Sequence, residues 1–279
     1  MNVDDAYAQC ALITKEQAKN FSYGIRLLPT PKRTAMSAVY ALARRIDDIG
    51  DGDLPAGEKQ DALVQVRKDL AALPGTGDDP VLVAIDDAAR RYSLPMHEFG
   101  QLIDGCEMDV TGATYVTFDD LVGYCRRVAG SIGRLSLSIF GTRYPESAEP
   151  RAEALGVALQ VTNILRDVVE DRGIGRAYLP RDDAERFGCA PDLSGPPAAL
   201  AALVGFETTR AREWFGRGLE LLPLLDRRSR ACVAAMAGIY LRLLGRIERD
   251  PSAVLRGRLS LPTSEKLWVA ARAVSAGRA

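Results

Sequence analysis

Histidine is almost missing from this sequence: His97 is the only one among 279 residues. Histidine-based metal cages and histidine-centred nucleophilic triads are therefore not expected. Close cysteine pairs are missing too. Cys10, Cys106, Cys125, Cys189 and Cys232 are odd in number and far apart, with no C-x-x-C for zinc or redox exchange, so a reducing, cytoplasmic setting is expected. The most apolar stretches, 198–206 and 232–241, fall far short of the roughly 18 to 20 residues that cross a bilayer. The first ten residues, MNVDDAYAQC, have neither the basic nor the apolar region of a secretory signal. Net charge is also scarce. With a formal value of -1 there is no broad basic field, so nucleic acid is not the expected partner and any anion must be held by local patches.

What is present is ordinary globular material, 47% hydrophobic and 26% charged, enough to bury a large core in a chain whose length fits one domain. Met36, Val39, Tyr40, Ala43 and Ile46 recur at three- and four-residue spacing, which predicts a helix over 31–51, entered at Thr30-Pro31 and stopped by Gly50, Gly52 and Pro55. Helical patterns also cover 58–73, 81–92, 96–108, 118–140, 149–171, 198–222 and 227–249. Alternating strand patterns between hairpin turns are hard to find, so the expected fold is all-α. No fixed repeat is visible, which argues against a solenoid. Breaks are expected at 74–80, 141–150 and 173–197. The last is long enough to be a lid or binding element.

Chemistry is concentrated in two acidic segments. In ARRIDDIGD, the residues Arg44, Asp47, Asp48 and Asp51 fall on one helical face, where like charges a turn apart repel by roughly 0.2–0.5 kcal/mol per pair and call for cations or solvent. In QVTNILRDVVED, running from Gln160 to Asp171, the residues Asn163, Asp167 and Asp171 repeat that arrangement on a helix with apolar flanks. Gln160, Arg166 and Glu170 add polar groups that would be costly to bury unpartnered. Paired carboxylates spaced by one turn suit Mg2+, a hard cation bound through oxygen ligands together with substrate phosphates. Arg44, Arg45, Arg166, Arg176 and Arg181 are candidate clamps for the remaining phosphate oxygens. Such a site would stabilise a departing diphosphate and leave an allylic cation. That cation needs a dry cavity, with Phe21, Ile25, Leu28, Val128, Ile132, Leu135, Leu155, Leu159 and Ile164 as candidate walls. Gly130, Gly133 and Gly156 are candidates for letting a prenyl chain approach a helix closely.

Four blocks, NFSYGIRLLP (20–29), YALARRIDDIGD (40–51), YCRRVAGSIG (124–133) and QVTNILRDVVEDRGIGRAYLP (160–180), give the sequence a resemblance to the squalene/phytoene synthase family over nearly its whole length. The resemblance implies a helical isoprenoid-synthase bundle around a central cavity, with Asp47 and Asp51 as one magnesium-binding pair and Asp167 and Asp171, beside Asn163, as the other. It further implies that Arg44 and Arg166 contact diphosphate, that Gln160 belongs to the same substrate face, and that Tyr240, Tyr40 and Phe21 lie near the reacting diphosphate. One departure stands out. Many carotenoid-type members carry Ser-Lys-Ser-Phe where this chain has Ala18-Lys19-Asn20-Phe21, without hydroxyls at 18 and 20.

The variants NFSYGIRLLP and RRIDDIGDGD look most like bacterial presqualene diphosphate synthases of hopanoid pathways, which implies two farnesyl diphosphates as substrate and no reductant. Phytoene synthase, using two geranylgeranyl diphosphates, is the nearest alternative, and full squalene synthase with NADPH a further one. No G-x-G-x-x-G occurs in the chain. Head-to-tail synthases and terpene cyclases are disfavoured by N-x-x-R-D-x-x-E-D. A non-enzymatic helical scaffold or lipid-binding protein would leave the paired acidic faces without a role. Greasy substrates make peripheral membrane contact plausible, with Arg256, Arg258, Lys266, Arg272 and Arg278 as basic contributors. Oligomeric state is not legible.

Overall fold

The computed structural model describes residues 1–18, 20–75 and 77–276; Lys19 of the departing segment and Arg278 of the basic terminus lie outside them. The helices are α1 (Val3–Gln17), α2 (Phe21–Ile25), α3 (Thr30–Asp51), α4 (Ala56–Ala71), α5 (Pro80–Tyr92), α6 (His97–Val110), α7 (Phe118–Cys125), α8 (Ser131–Phe140), α9 (Pro145–Gly173), α10 (Arg181–Arg186), α11 (Pro197–Leu219), α12 (Arg227–Arg249), α13 (Ala253–Arg256) and α14 (Thr263–Ala276). No strand forms among the described residues; one isolated bridge joins Thr142 to Leu225. The fold is all-α, as the patterning predicts.

Most predicted helices appear within a few residues of their expected ends, and the differences have physical causes. The 118–140 pattern is one continuous helical run, but its middle turn, Arg126–Gly130, is a π turn between α7 and α8. Pro150 does not mark a break: α9 begins at Pro145 and runs through it, losing one ladder bond near its N-terminus. The 173–197 stretch holds α10, and the short or weakly amphipathic helices α1, α2, α13 and α14 carried too little periodicity to be predicted.

Two long helices set the geometry. On α3, Leu42 and Ile46 are wholly buried, while Tyr40, Arg44, Asp47 and Asp51 line one exposed or partly exposed stripe at i, i+4, i+7 and i+11. On α9, Val157, Ala158, Val161, Thr162, Ile164, Leu165 and Val168 are buried, and Gln160, Asn163, Asp167 and Asp171 form the matching stripe. Truncating Leu42 or Ile46 to Ala would cost about 2–5 kcal/mol, so each stripe is mounted on a well-packed strip. Helix α9 packs against α8, α11, α12 and the π turn, and α3 against α1, α5, α6 and α8.

Glycine explains how closely α9 is held. A Cβ on Gly133 would lie 2.5 Å from the Ala152 carbonyl oxygen, and one on Gly156 would lie 2.4 Å from that of Ala129. These glycines therefore serve backbone-to-backbone helix contact rather than approach by a prenyl chain, which corrects their sequence assignment.

Candidate active site at two facing acidic helices

The stripes meet at both ends. At one end Tyr240, buried on α12, influences Tyr40 of α3 and Arg166 of α9, and its ring lies 5.8 Å from that of Phe21 on α2. At the other end Arg176, just beyond α9, donates to Asp51 Oδ1 at 2.6 Å and to the Gly50 carbonyl at 3.2 Å. The predicted lid region is thus tied to the first acidic helix by an ion pair.

Each stripe has one aspartate that is paired and one that is not. On α3 the Arg44 guanidinium pairs with Asp48 at 2.5 Å and Asp51 takes Arg176. On α9 Asp167 is held by its neighbour Arg166, whose Nε lies 2.7 Å from Oδ1, and by Arg258, whose Nε and guanidinium NH2 lie 2.9 and 3.2 Å from the two oxygens. Asp47 and Asp171 form no ion pair among the described residues. Burial, then the neighbouring Asp51, pushes Asp47 up to about 7; burial, then Asp167, pushes Asp171 up to about 7 as well. Water can reach Asp47, yet it sits deep among other groups, as expected of a side chain on the wall of a recess.

A third carboxylate lies between the stripes. Asp109 of α6 accepts hydrogen bonds from Tyr124 at 2.9 Å and Tyr178 at 2.8 Å, and its charge is felt at both Asp47 and Asp171. Burial raises its own pKa, opposed by the Tyr178 hydrogen bond and the Arg176 charge. The rings of Tyr115, Tyr124 and Tyr178 form a cluster with centroids 5.2 to 6.2 Å apart. Sequence reading missed Asp109, for which no local pattern exists. Tyr124 and Tyr178 lay inside two of the recognised blocks but were not singled out. Arg258 was read as part of a basic tail, although it reaches Asp167 across 91 positions.

Other expectations resolve differently. Arg45 is withdrawn from the site: it forms a two-bond pair with Asp79, at 2.9 and 3.0 Å, while Asp79 also caps α5. Arg181 stands exposed at the start of α10. Of the candidate cavity walls, Ile25, Leu28, Leu135, Leu155, Leu159 and Ile164 belong to the buried core, while Phe21, Val128 and Ile132 are only partly buried against it. All five cysteines are free and buried.

The donor set suits a hard cation. Asn163 Oδ1 is buried without any hydrogen-bond partner and lies one turn before Asp167 on the same stripe. With Asp47 and Asp171 unpaired on opposite helices, that makes three oxygen donors lacking a positive partner. Among the described residues no three carboxylates, histidines or cysteines converge tightly enough to hold a metal unaided. Magnesium is commonly held by one or two carboxylates, with water and substrate phosphates completing its shell. Arg44 Nε is likewise buried without an acceptor.

A helical fold carrying two facing acidic stripes with arginines at their margins is that of a head-to-head prenyl-diphosphate synthase, and the chain belongs to the squalene/phytoene synthase family: the family profile described as "Squalene/phytoene synthase" matches residues 14–265. A phytoene synthase of Mycobacterium tuberculosis is 49% identical, covering 98% of this chain and 92% of that one. A presqualene diphosphate synthase of Rhodopseudomonas palustris is 34% identical, covering 90% and 91%. Among solved structures, a dehydrosqualene synthase in complex with a ligand superposes with a TM-score of 0.89 at 29% identity, covering 99% of this chain and 98% of that one.

Proposed function

We propose that this protein joins two geranylgeranyl diphosphates head to head to give a C40 hydrocarbon of the phytoene type. The observation that carries the substrate choice is the 49% identity, across 98% of the chain, to a relative named phytoene synthase, against 34% to one named presqualene diphosphate synthase. This moves the reading away from farnesyl diphosphate, the substrate implied by the NFSYGIRLLP and RRIDDIGDGD variants, toward the alternative weighed beside it.

The stripe residues divide the work. Arg44, Arg166, Arg176 and Arg258 bind diphosphate oxygens through charge-assisted hydrogen bonds and hold the reacting C1 carbons near each other. Asp47 and Asp51 on α3, and Asn163, Asp167 and Asp171 on α9, would hold magnesium, which supplies Lewis-acid stabilisation of charge on the departing diphosphate. Gln160 orients substrate on the same face. Phe21, Tyr40 and Tyr240 present π faces and hydroxyls to the cationic carbon, and the apolar core beyond them excludes water. The balance is simple. Loss of the first diphosphate lets the second substrate's double bond attack C1, and loss of a proton closes a cyclopropane that keeps the second diphosphate. Its departure and loss of a second proton complete the hydrocarbon, with no reductant consumed.

The test incubates purified protein with magnesium and either geranylgeranyl or farnesyl diphosphate, without NADPH, and identifies products by mass spectrometry. A C40 hydrocarbon from the first substrate is expected. Presqualene diphosphate from the second substrate, with nothing from the first, would replace this reading by the presqualene one while leaving the site intact.

A further inference from the structure

A second cluster of charge lies away from the stripes, where α10 meets α11. Glu207 of α11 and Asp183 of α10 are both buried, and both turn to one cation, Arg210. Arg210 Nη1 donates to Asp183 Oδ2 at 2.5 Å and to Glu207 Oε1 at 2.8 Å, and its guanidinium stands over the rings of Phe118 and Phe206, 4.5 and 4.6 Å from their centroids. Glu207 Oε2 is buried with no hydrogen-bond partner among the described residues. Two ionised carboxylates would outnumber the single guanidinium in a place shut off from water, and an anionic oxygen there without a donor is costly. A proton on Glu207 makes the set neutral. Burial above all, opposed by Arg210 and reinforced by Asp183, pushes Glu207 up to about 8.

Other charges nearby are committed elsewhere. Of the helices packed on α11, α9 sends Arg151 to Glu220 and α12 sends Glu248 to Arg212, both away from Glu207. Asp120 of α7 caps its own helix, Arg186 of α10 lies over the rings of Phe187 and Phe206, and Asp182 and Glu185 are exposed. The cluster also braces a segment that carries site residues. Helix α10 follows directly on Arg176, which donates to Asp51, and Tyr178, which donates to Asp109. Its first backbone N–H groups, from Arg181 and Asp182, donate to the carbonyls of Tyr115 and Val116 at 3.0 and 3.1 Å. Beyond it, the Phe187 ring lies 5.4 Å from that of Phe206. One end of the segment is thus fixed at the stripes and the other at Arg210.

We propose that Asp183, Glu207 and Arg210 are positioning residues: with one proton kept on their carboxyl pair they hold α10 on α11, and so hold Arg176 and Tyr178 against the acidic helices. The inference rests on the assignment of Arg176 to diphosphate. When the proton leaves, surplus negative charge is relieved by α10 moving off α11 toward water, and Arg176 loses its fixed support. The native value lies above the ordinary one, so the contribution is complete below about 4.5 and is lost as pH rises through about 8.

The test compares the parent with Glu207→Gln, which stays neutral, at pH 7 and pH 9. Hydrogen exchange over peptides from 177–190 is read by mass spectrometry. KM and kcat are measured for whichever of geranylgeranyl and farnesyl diphosphate is turned over. Comparison at equal pH cancels the intrinsic pH dependence of exchange and the titration of Asp47 and Asp171, which both proteins share. The ratio of exchange rates, parent over variant, should grow about tenfold from pH 7 to pH 9. The corresponding ratio of KM values should grow at least about threefold, with the ratio of kcat values unchanged. A constant exchange ratio would overturn the brace, and a growing exchange ratio with a constant KM ratio would overturn its positioning role. Exchange is read without substrate, so failure of the brace is told apart from failure of the substrate reading. Should Glu207→Gln fail to fold, Asp183→Asn, which leaves one carboxylate to one guanidinium, decides by the same ratios.

Discussion

The two acidic helices share a plan but differ in what neutralises it. On α3 the paired carboxylate, Asp51, takes its cation from Arg176 in the segment after α9; on α9 the paired one, Asp167, takes cations from Arg166 beside it and from Arg258 near the C-terminus. Each stripe keeps one aspartate with no ion pair among the described residues, Asp47 on α3 and Asp171 on α9, both raised to about 7. Arginines thus hold the outline of the site through one member of each pair, and the other member remains available for a metal ion. The difference is one of source: α3 takes its cation from the segment after α9, 125 positions away, whereas α9 takes one from its own adjacent residue and one from near the C-terminus, 91 positions away.

The largest effect should come from the unpaired members. Asp47→Asn and Asp171→Asn should each lower kcat/KM by ~1,000-fold or more with the far-UV circular dichroism unchanged. Unequal losses would show that the two helices do not share the load. Next come the tethers. Arg176→Ala and Arg258→Ala each remove charge-assisted bonds of about 1.5–3 kcal/mol, so steady-state kinetics should show roughly 10- to 100-fold losses. A normal Arg258→Ala would leave Arg166 alone sufficient on α9. Asn163→Ala should raise the half-saturating magnesium concentration about tenfold. It should leave thermal stability unchanged, since Oδ1 has no protein partner to lose.

The smallest effect is on the fold itself and concerns pH. A carboxyl whose native pKa lies above its unfolded value favours the folded state below that unfolded value, and the contribution is lost as pH rises through the native one. For Asp47 and Asp171 the window runs from about 4 to about 7. Thermal unfolding without ligand should therefore show lower stability at pH 8 than at pH 5. Magnesium with diphosphate should flatten that slope and add about 2.7 kcal/mol at a hundredfold excess over its dissociation constant. A helical scaffold would show no such gain.

Much of this was legible in sequence because helical periodicity projects directly onto a helix face. The faces Arg44-Asp47-Asp48-Asp51 and Asn163-Asp167-Asp171 could be read from spacing alone, as could the boundaries of α12, whereas periodicity set Tyr40 on the apolar face and only the family resemblance brought it and Gln160 to the site. Asp109 could not, because its role arises from α6 crossing between two helices that are distant in sequence. Arg258 and Arg176 act through contacts spanning 91 and 125 positions, which no local pattern encodes. Gly133 and Gly156 were assigned to the wrong neighbour, since the space they leave is filled by backbone, while that at Gly130 is filled by the Glu153 side chain. Substrate length was the least legible feature, since it depends on the depth of a cavity walled by several helices.

The way α9 is held also bears on how such an enzyme can be diversified. At Gly156 and Ala152 it touches the neighbouring main chain, and Leu155 lies where a Cβ on Gly218 would come within 2.7 Å. Larger side chains at these contacts would displace the acidic stripe together with the wall. Libraries aimed at altering product length should therefore leave α9 untouched and place their variation on partly buried positions such as Phe21 and Ile132, away from the close contact that Val128 makes with Gly105 of α6.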